Sequence, residues 1–256
     1  MYEVEAEHRR AKSVDGELVM YRTYESEHYI FHYRPGSAAG HDLKRIRDCQ
    51  ESCFAKIAEA LHVVFPGKIH YWLCDTPEEV GRIYGDNEPC NGFASVPDQV
   101  YAVYNDDIHC IGPHEDAHLI SYQIHRPDSA FVREGLAMYF DETWWGRPNE
   151  DWVKEFQSEA GLPDIRDLFS DEVFHQYSDA VTYPVAGALT RYLITTYGMD
   201  AYLQFYRSGG QPWQDSVRKC FGTDLHSIIE AFLNSLDRQI PDSREIGQLG
   251  VSGERT

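Results

Sequence analysis

His114-Glu115-Asp116-Ala117-His118 places two histidines four residues apart, with an acid directly after the first. On a helix, residues four apart differ by only about 40° around the axis, so both imidazoles leave the same face. That spacing suits two neighbouring ligands of a tetrahedral zinc ion. Glu115 can then bring its carboxylate to a water held by the same metal and act as its general base. Zinc lowers the pKa of such a water from about 15.7 toward 7, so hydroxide becomes available at neutral pH. The five residues alone also arise by chance on ordinary surface helices, so the surrounding sequence matters.

That sequence predicts a helix. Gly112-Pro113 is a good opening, since proline suits the first turn, and Leu119, Ile120 and Tyr122 give apolar positions to bury. Arg126-Pro127-Asp128 breaks the pattern. A second helical stretch follows from Ser129 through Phe131, Glu134-Gly135-Leu136-Ala137 and Tyr139-Phe140.

The pair of motifs, HExxH and then, after fifteen intervening residues, Glu134-Gly135-Leu136-Ala137, resembles the gluzincin metallopeptidases. The resemblance is closest to the bacterial peptidase MA-like group, related to the alanyl-aminopeptidase type. It implies that Glu134 is the third ligand, giving two imidazoles and a carboxylate with one position open for water. Rival zinc patterns depart in spacing. Ser121 and Ile124 stand where a metzincin needs glycine and histidine, and Met138 stands where a thermolysin-type chain carries aspartate. His125 reads as a helix-end histidine near the negative end of the helix dipole. Gly222-Thr223-Asp224 begins like an aspzincin motif but reads as a turn and helix cap.

The resemblance implies further residues. Tyr183 opens a stretch ending at Gly198 that is similar to a family segment, and it matches a tyrosine that stabilises the oxyanion; His175 is a second candidate donor. In the aminopeptidase relatives, a G-x-M-E-N sequence near the cleft-edge strand supplies a glutamate for the substrate's amino group. Here Gly92, Phe93, Ala94 and Ser95 fill that slot without a carboxylate, which favours endopeptidase over aminopeptidase action. Gly92 to Gln99 also read as a plain hairpin connection. Asp141 lies two turns beyond Glu134 on the same helix face. It reads either as a group holding a ligand imidazole or as a solvated helix-end acid. Asp116 is expected to point away from the metal.

The remaining elements follow from periodicity and punctuation. Residues 27–34 alternate as a half-buried strand, and residues 41–62 carry apolar groups at helical spacing. A strand is expected at 68–73, a helix after the Thr76 cap and Pro77, and a strand at 99–104. Gly146 and Pro148 are expected to end the second motif helix. Helices are then predicted at 151–160, 164–169, 179–197, 199–207 and 225–236, with a loop at 171–179. Val14-Asp15-Gly16-Glu17 reads as a hairpin turn, and residues 241–256 as a frayed tail.

The expected architecture is α+β and zincin-like: an N-terminal mixed sheet with backing helices (1–112), the zinc helices at the cleft (113–145) and a C-terminal helical subdomain (146–240). With 23 Lys+Arg against 42 Asp+Glu, the formal charge of −19 argues against nucleic acid or an anionic membrane as partner. No apolar run is long enough for a membrane span. The acidic start lacks a signal core, so a cytoplasmic location is expected; an exported chain stripped of its leader would read alike. Cys49 and Cys53, four apart, read as small core-facing residues or as metal ligands. Cys74–Cys90 or Cys90–Cys110 could pair in an exported protein. The expected function is a zinc peptidase acting on peptides or proteins. Its alternatives are a zinc-binding interaction module without turnover and a protein whose motif is accidental. A base at Glu115 argues against the module, because a structural site has no use for one.

Overall fold

The computed structural model describes residues 9–12, 18–208 and 212–237. In order, the sheet half contains β1 (Arg9–Lys12), β2 (Leu18–Glu25), β3 (Tyr29–Tyr33), α1 (Ala38–His41), α2 (Leu43–Leu61), β4 (Ile69–Cys74), α3 (Pro77–Tyr84), β5 (Gly92–Ser95) and β6 (Gln99–Val103). Then come α4 (His114–Ser121) and α5 (Ala130–Asp141). The rest is β7 (Thr143–Trp144), β8 (Arg147–Pro148), α6 (Asn149–Ser158), a 3-10 turn (Asp167–Phe169), α7 (Asp171–Phe174), α8 (Asp179–Tyr197), α9 (Met199–Tyr206), α10 (Trp213–Phe221) and α11 (Leu225–Asp237).

Six strands form one mixed sheet in the order β1-β2-β3-β4-β6-β5. β3, β4 and β6 run parallel, because helical connections return the chain over the sheet; the other neighbours pair antiparallel. Strand period sorts the side chains onto two faces. Tyr29, Phe31, Ile69, Tyr71, Leu73, Val100 and Ala102 enter the main core. On the opposite face, His32 stacks on Trp72, Trp72 on Tyr101 and Tyr101 on Phe93. There α3 buries Val80 against Cys74 and Val103. Thr76 caps α3 by accepting the Glu79 amide hydrogen.

α2 backs the core face with Ile46, Gln50, Phe54, Ile57 and Leu61. Cys49 and Cys53 lie at the half-buried margin of that stripe rather than in it, and all six cysteines are free thiols, so neither expected disulfide is formed. One buried apolar cluster runs from Tyr29 to Leu236, so the sheet and the later helices share a core.

Several local expectations are corrected. α5 stops at Asp141, well before Gly146; the next residues form the β7–β8 hairpin, whose Trp145 and Gly146 both take left-handed backbone. The expected loop at 171–179 contains the short helix α7, and the expected helix at 164–169 is a single 3-10 turn. α10 has no counterpart in the sequence reading. α8 matches its expected span, with Pro184 accommodated inside it. The turn at Val14–Glu17 and the tail at 241–256 lie outside the described residues, although β1 and β2 pair antiparallel on either side of that turn.

Candidate metal centre

The centre is assembled by α4, α5 and the hydrogen bonds that hold them. α4 begins at His114, and the i,i+4 spacing puts His114 and His118 side by side, ring centres 5.0 Å apart and planes at 81°. Glu134 comes from α5. One of its oxygens, Oε2, lies 3.3 Å from His114 Nε2 and 3.2 Å from His118 Nε2. The three donor atoms fall within 4.8 Å of one another, so His114, His118 and Glu134 could hold a metal ion. Zinc bonds of about 2.0–2.2 Å in a tetrahedron put neighbouring donors about 3.3–3.6 Å apart, close to the spacing from the shared oxygen to each imidazole.

Asp141 Oδ2 accepts a hydrogen bond from His114 Nδ1 at 2.8 Å. Asp141 is therefore not a solvated helix-end acid. It fixes the His114 ring and leaves Nε2 turned toward Glu134. Burial alone would lower the His114 pKa, but hydrogen bonds to Asp141 and Glu134 hold it well above 6.5 in the metal-free protein. For Glu134, burial acts to raise the carboxyl pKa, and the paired imidazoles of His118 and His114 outweigh it, leaving the acid well below its ordinary range. Tyr122 Oη lies 3.4 Å from His118 Nδ1, a long contact, with its ring beside the imidazole.

Glu115 lines the same cleft and has no hydrogen-bond or ion-pair partner among the described residues. Removal from bulk water raises its pKa, with Glu134 and Asp141 adding to the effect and the two histidines opposing it. Its neighbour Asp116 points the opposite way, as expected. It is fully buried and accepts hydrogen bonds from Tyr29 and, at 2.9 Å, from Gln50 Nε2. Gln50 also bridges both backbone groups of Gly112, so α2 fixes the start of α4.

The cleft occupies about 360 Å³. One wall is β5, the terminal strand of the sheet. Gly92 and Ala94 share the face on which α4 lies, and a Cβ at Gly92 would sit 3.5 Å from Glu115 Oε1. Phe93 also lines the cleft, with its ring packed on Tyr101 and Tyr84. Across the cleft, the Tyr183 ring lies parallel to His114 with centres 5.9 Å apart, backed by Trp144 and Phe174. Burial, then the nearby acids Glu134 and Asp179, push its pKa far up, so the phenol keeps its proton. His175 also lines the cleft, and its Nδ1 donates to the Asp171 carbonyl. His125 does not line it.

Sequence reasoning missed Gln50, Tyr122, Trp144 and Arg126. For two of these a signal exists: His114, His118, Tyr122 and Arg126 recur at four-residue intervals. Comparison of the chain with protein-family models and with curated proteins finds no match. No described helix is long and apolar enough to cross a membrane.

Proposed function

We propose that the chain is a zinc-dependent peptidase of gluzincin type that hydrolyses internal peptide bonds. The observation that carries this reading is the single Glu134 oxygen standing 3.3 and 3.2 Å from the two imidazoles, beside an uncommitted Glu115. A mixed sheet ending in a cleft-edge strand, then the two motif helices and a helical half, supports a zincin-like arrangement.

His114, His118 and Glu134 would hold the ion, with Asp141 orienting the first imidazole. When bound, zinc supplies Lewis-acid activation of water and of a carbonyl group. Glu115 takes the proton from the attacking water and returns it to the leaving amine. The Tyr183 phenol donates a hydrogen bond to the oxyanion as it develops; loss of one such donor costs about 10²–10³ in rate. Among the described residues β5 pairs on one side only, so its other edge can take an extended substrate through the main chain. The absence of a carboxylate from Gly92 to Ser95 favours internal cleavage over removal of an amino-terminal residue.

Glu115→Gln tests the reading. The variant is expected to retain zinc and to lose cleavage of a mixed peptide library. If the zinc-loaded wild type cleaves none of that library, the non-catalytic zinc module takes its place.

A further inference from the structure

Two arginines line the cleft, and their surroundings differ. Arg133 is committed: Nη1 donates at 2.6 Å to the carbonyls of Pro127 and Asp128, and Nη2 lies 3.7 Å from Asp171. Its contacts are those of a clamp on the loop after α4. Arg126 sits on that loop, exposed at the cleft rim, with its guanidinium 5.3 Å from the centre of the Tyr122 ring. No carboxylate or carbonyl partners it among the described residues. In a chain with 42 acidic residues and a formal charge of −19, a cation in the cleft has been left without an acid.

A guanidinium held on an aromatic face keeps its N–H edge free and loses little freedom when it binds a carboxylate in a forked pair. The Tyr122 ring lies beneath the guanidinium, and the backbone that follows is anchored by the buried Pro127 and by Arg133. Asp179, which also lines the cleft, interacts electrostatically with Glu134 and His175 and not with Arg126.

Resting on the peptidase reading above, we infer that Arg126 is a specificity determinant recognising a carboxylate of the substrate, either an acidic side chain or the free carboxyl terminus. It lies two four-residue steps beyond His118.

The test uses fluorescein-labelled heptapeptides in which one Glu, or its Gln or Lys counterpart, is walked along an alanine-rich frame, each with a free or amidated carboxyl terminus. Binding is read by fluorescence anisotropy on zinc-supplemented full-length E115Q, and cleavage on the wild type. At one register, peptides with a carboxylate are expected to bind about tenfold tighter than neutral ones. R126Q in the E115Q background removes the difference, and R126E turns the preference toward Lys. Sensitivity to Glu→Gln identifies a side-chain carboxylate, and sensitivity to amidation identifies the terminus. Equal binding of Glu and Gln peptides irrespective of the terminus, an equal loss for all peptides in R126Q, or no binding at all overturns the inference. Binding that depends on Arg126 without any cleavage by wild type removes the peptidase reading and leaves the carboxylate site standing; cleavage without preference does the reverse.

Discussion

Glu115 and Asp116 are adjacent acids with opposite fates, and helix geometry is the reason. A rotation of about 100° per residue turns one into the cleft and the other into the core. Asp116 anchors the motif helix to β3 and α2 through Tyr29 and Gln50, which leaves Glu115 without a structural task. Asp141 does for His114 what Asp116 does for the helix: it holds one group so that another atom is presented. Its proton linkage can be measured. If the proposed centre takes zinc, a proton would compete with it for the His114 imidazole, whose metal-free pKa lies well above 6.5. Apparent zinc affinity should therefore keep rising with pH beyond 6.5, with proton release on binding, detectable by calorimetry in buffers of different ionisation enthalpy. In the metal-free protein the sign is opposite. The raised pKa contributes stability that is present below 6.5 and lost as pH rises through the folded-state value. Asp141→Asn should shift the affinity profile to lower pH. At alkaline pH, where proton competition has gone, it should weaken zinc binding about 10- to 100-fold. An unchanged profile would separate Asp141 from the centre.

At the scale of elements, α5, which carries Glu134, is positioned by close contact with α8. A Cβ at Gly135 would sit 2.5 Å from Thr190 Oγ1 and 3.0 Å from the Ala186 carbonyl, so glycine lets α5 and α8 approach. Gly135→Ala should cost about 1–3 kcal/mol through overpacking, read as a lower urea midpoint with the same slope. A neutral result would mean that this packing is loose. The pattern of α8 was legible because its apolar run ends at Gly198, a helix stop. α5 was legible in its body but not at its end: Glu142 takes a left-handed conformation, and Trp145-Gly146 turns a hairpin that indole side chains disguise as more helix. α10 was missed although Trp213, Val217 and Phe221 recur at four-residue spacing, because its 9 residues are shorter than the window over which helical period is read.

For the molecule as a whole, the proposed ligand set was readable because it is local in sequence or carried by the family resemblance. Its supports were not. Gln50 meets Gly112 across 62 residues, and Tyr29 meets Asp116 across 87. Such pairings depend on how the sheet and α2 stack, which periodicity does not encode. The shared core also explains why no linker was found between the sheet and the helical half. The central claim is that both motifs serve one ion, and zinc stoichiometry after dialysis of wild type and Glu134→Ala tests it most directly. The expected result is one equivalent in the wild type and a small fraction of that in the variant, with both chains folded by circular dichroism. Zinc well below one equivalent in the wild type, or full retention by folded Glu134→Ala, would contradict it.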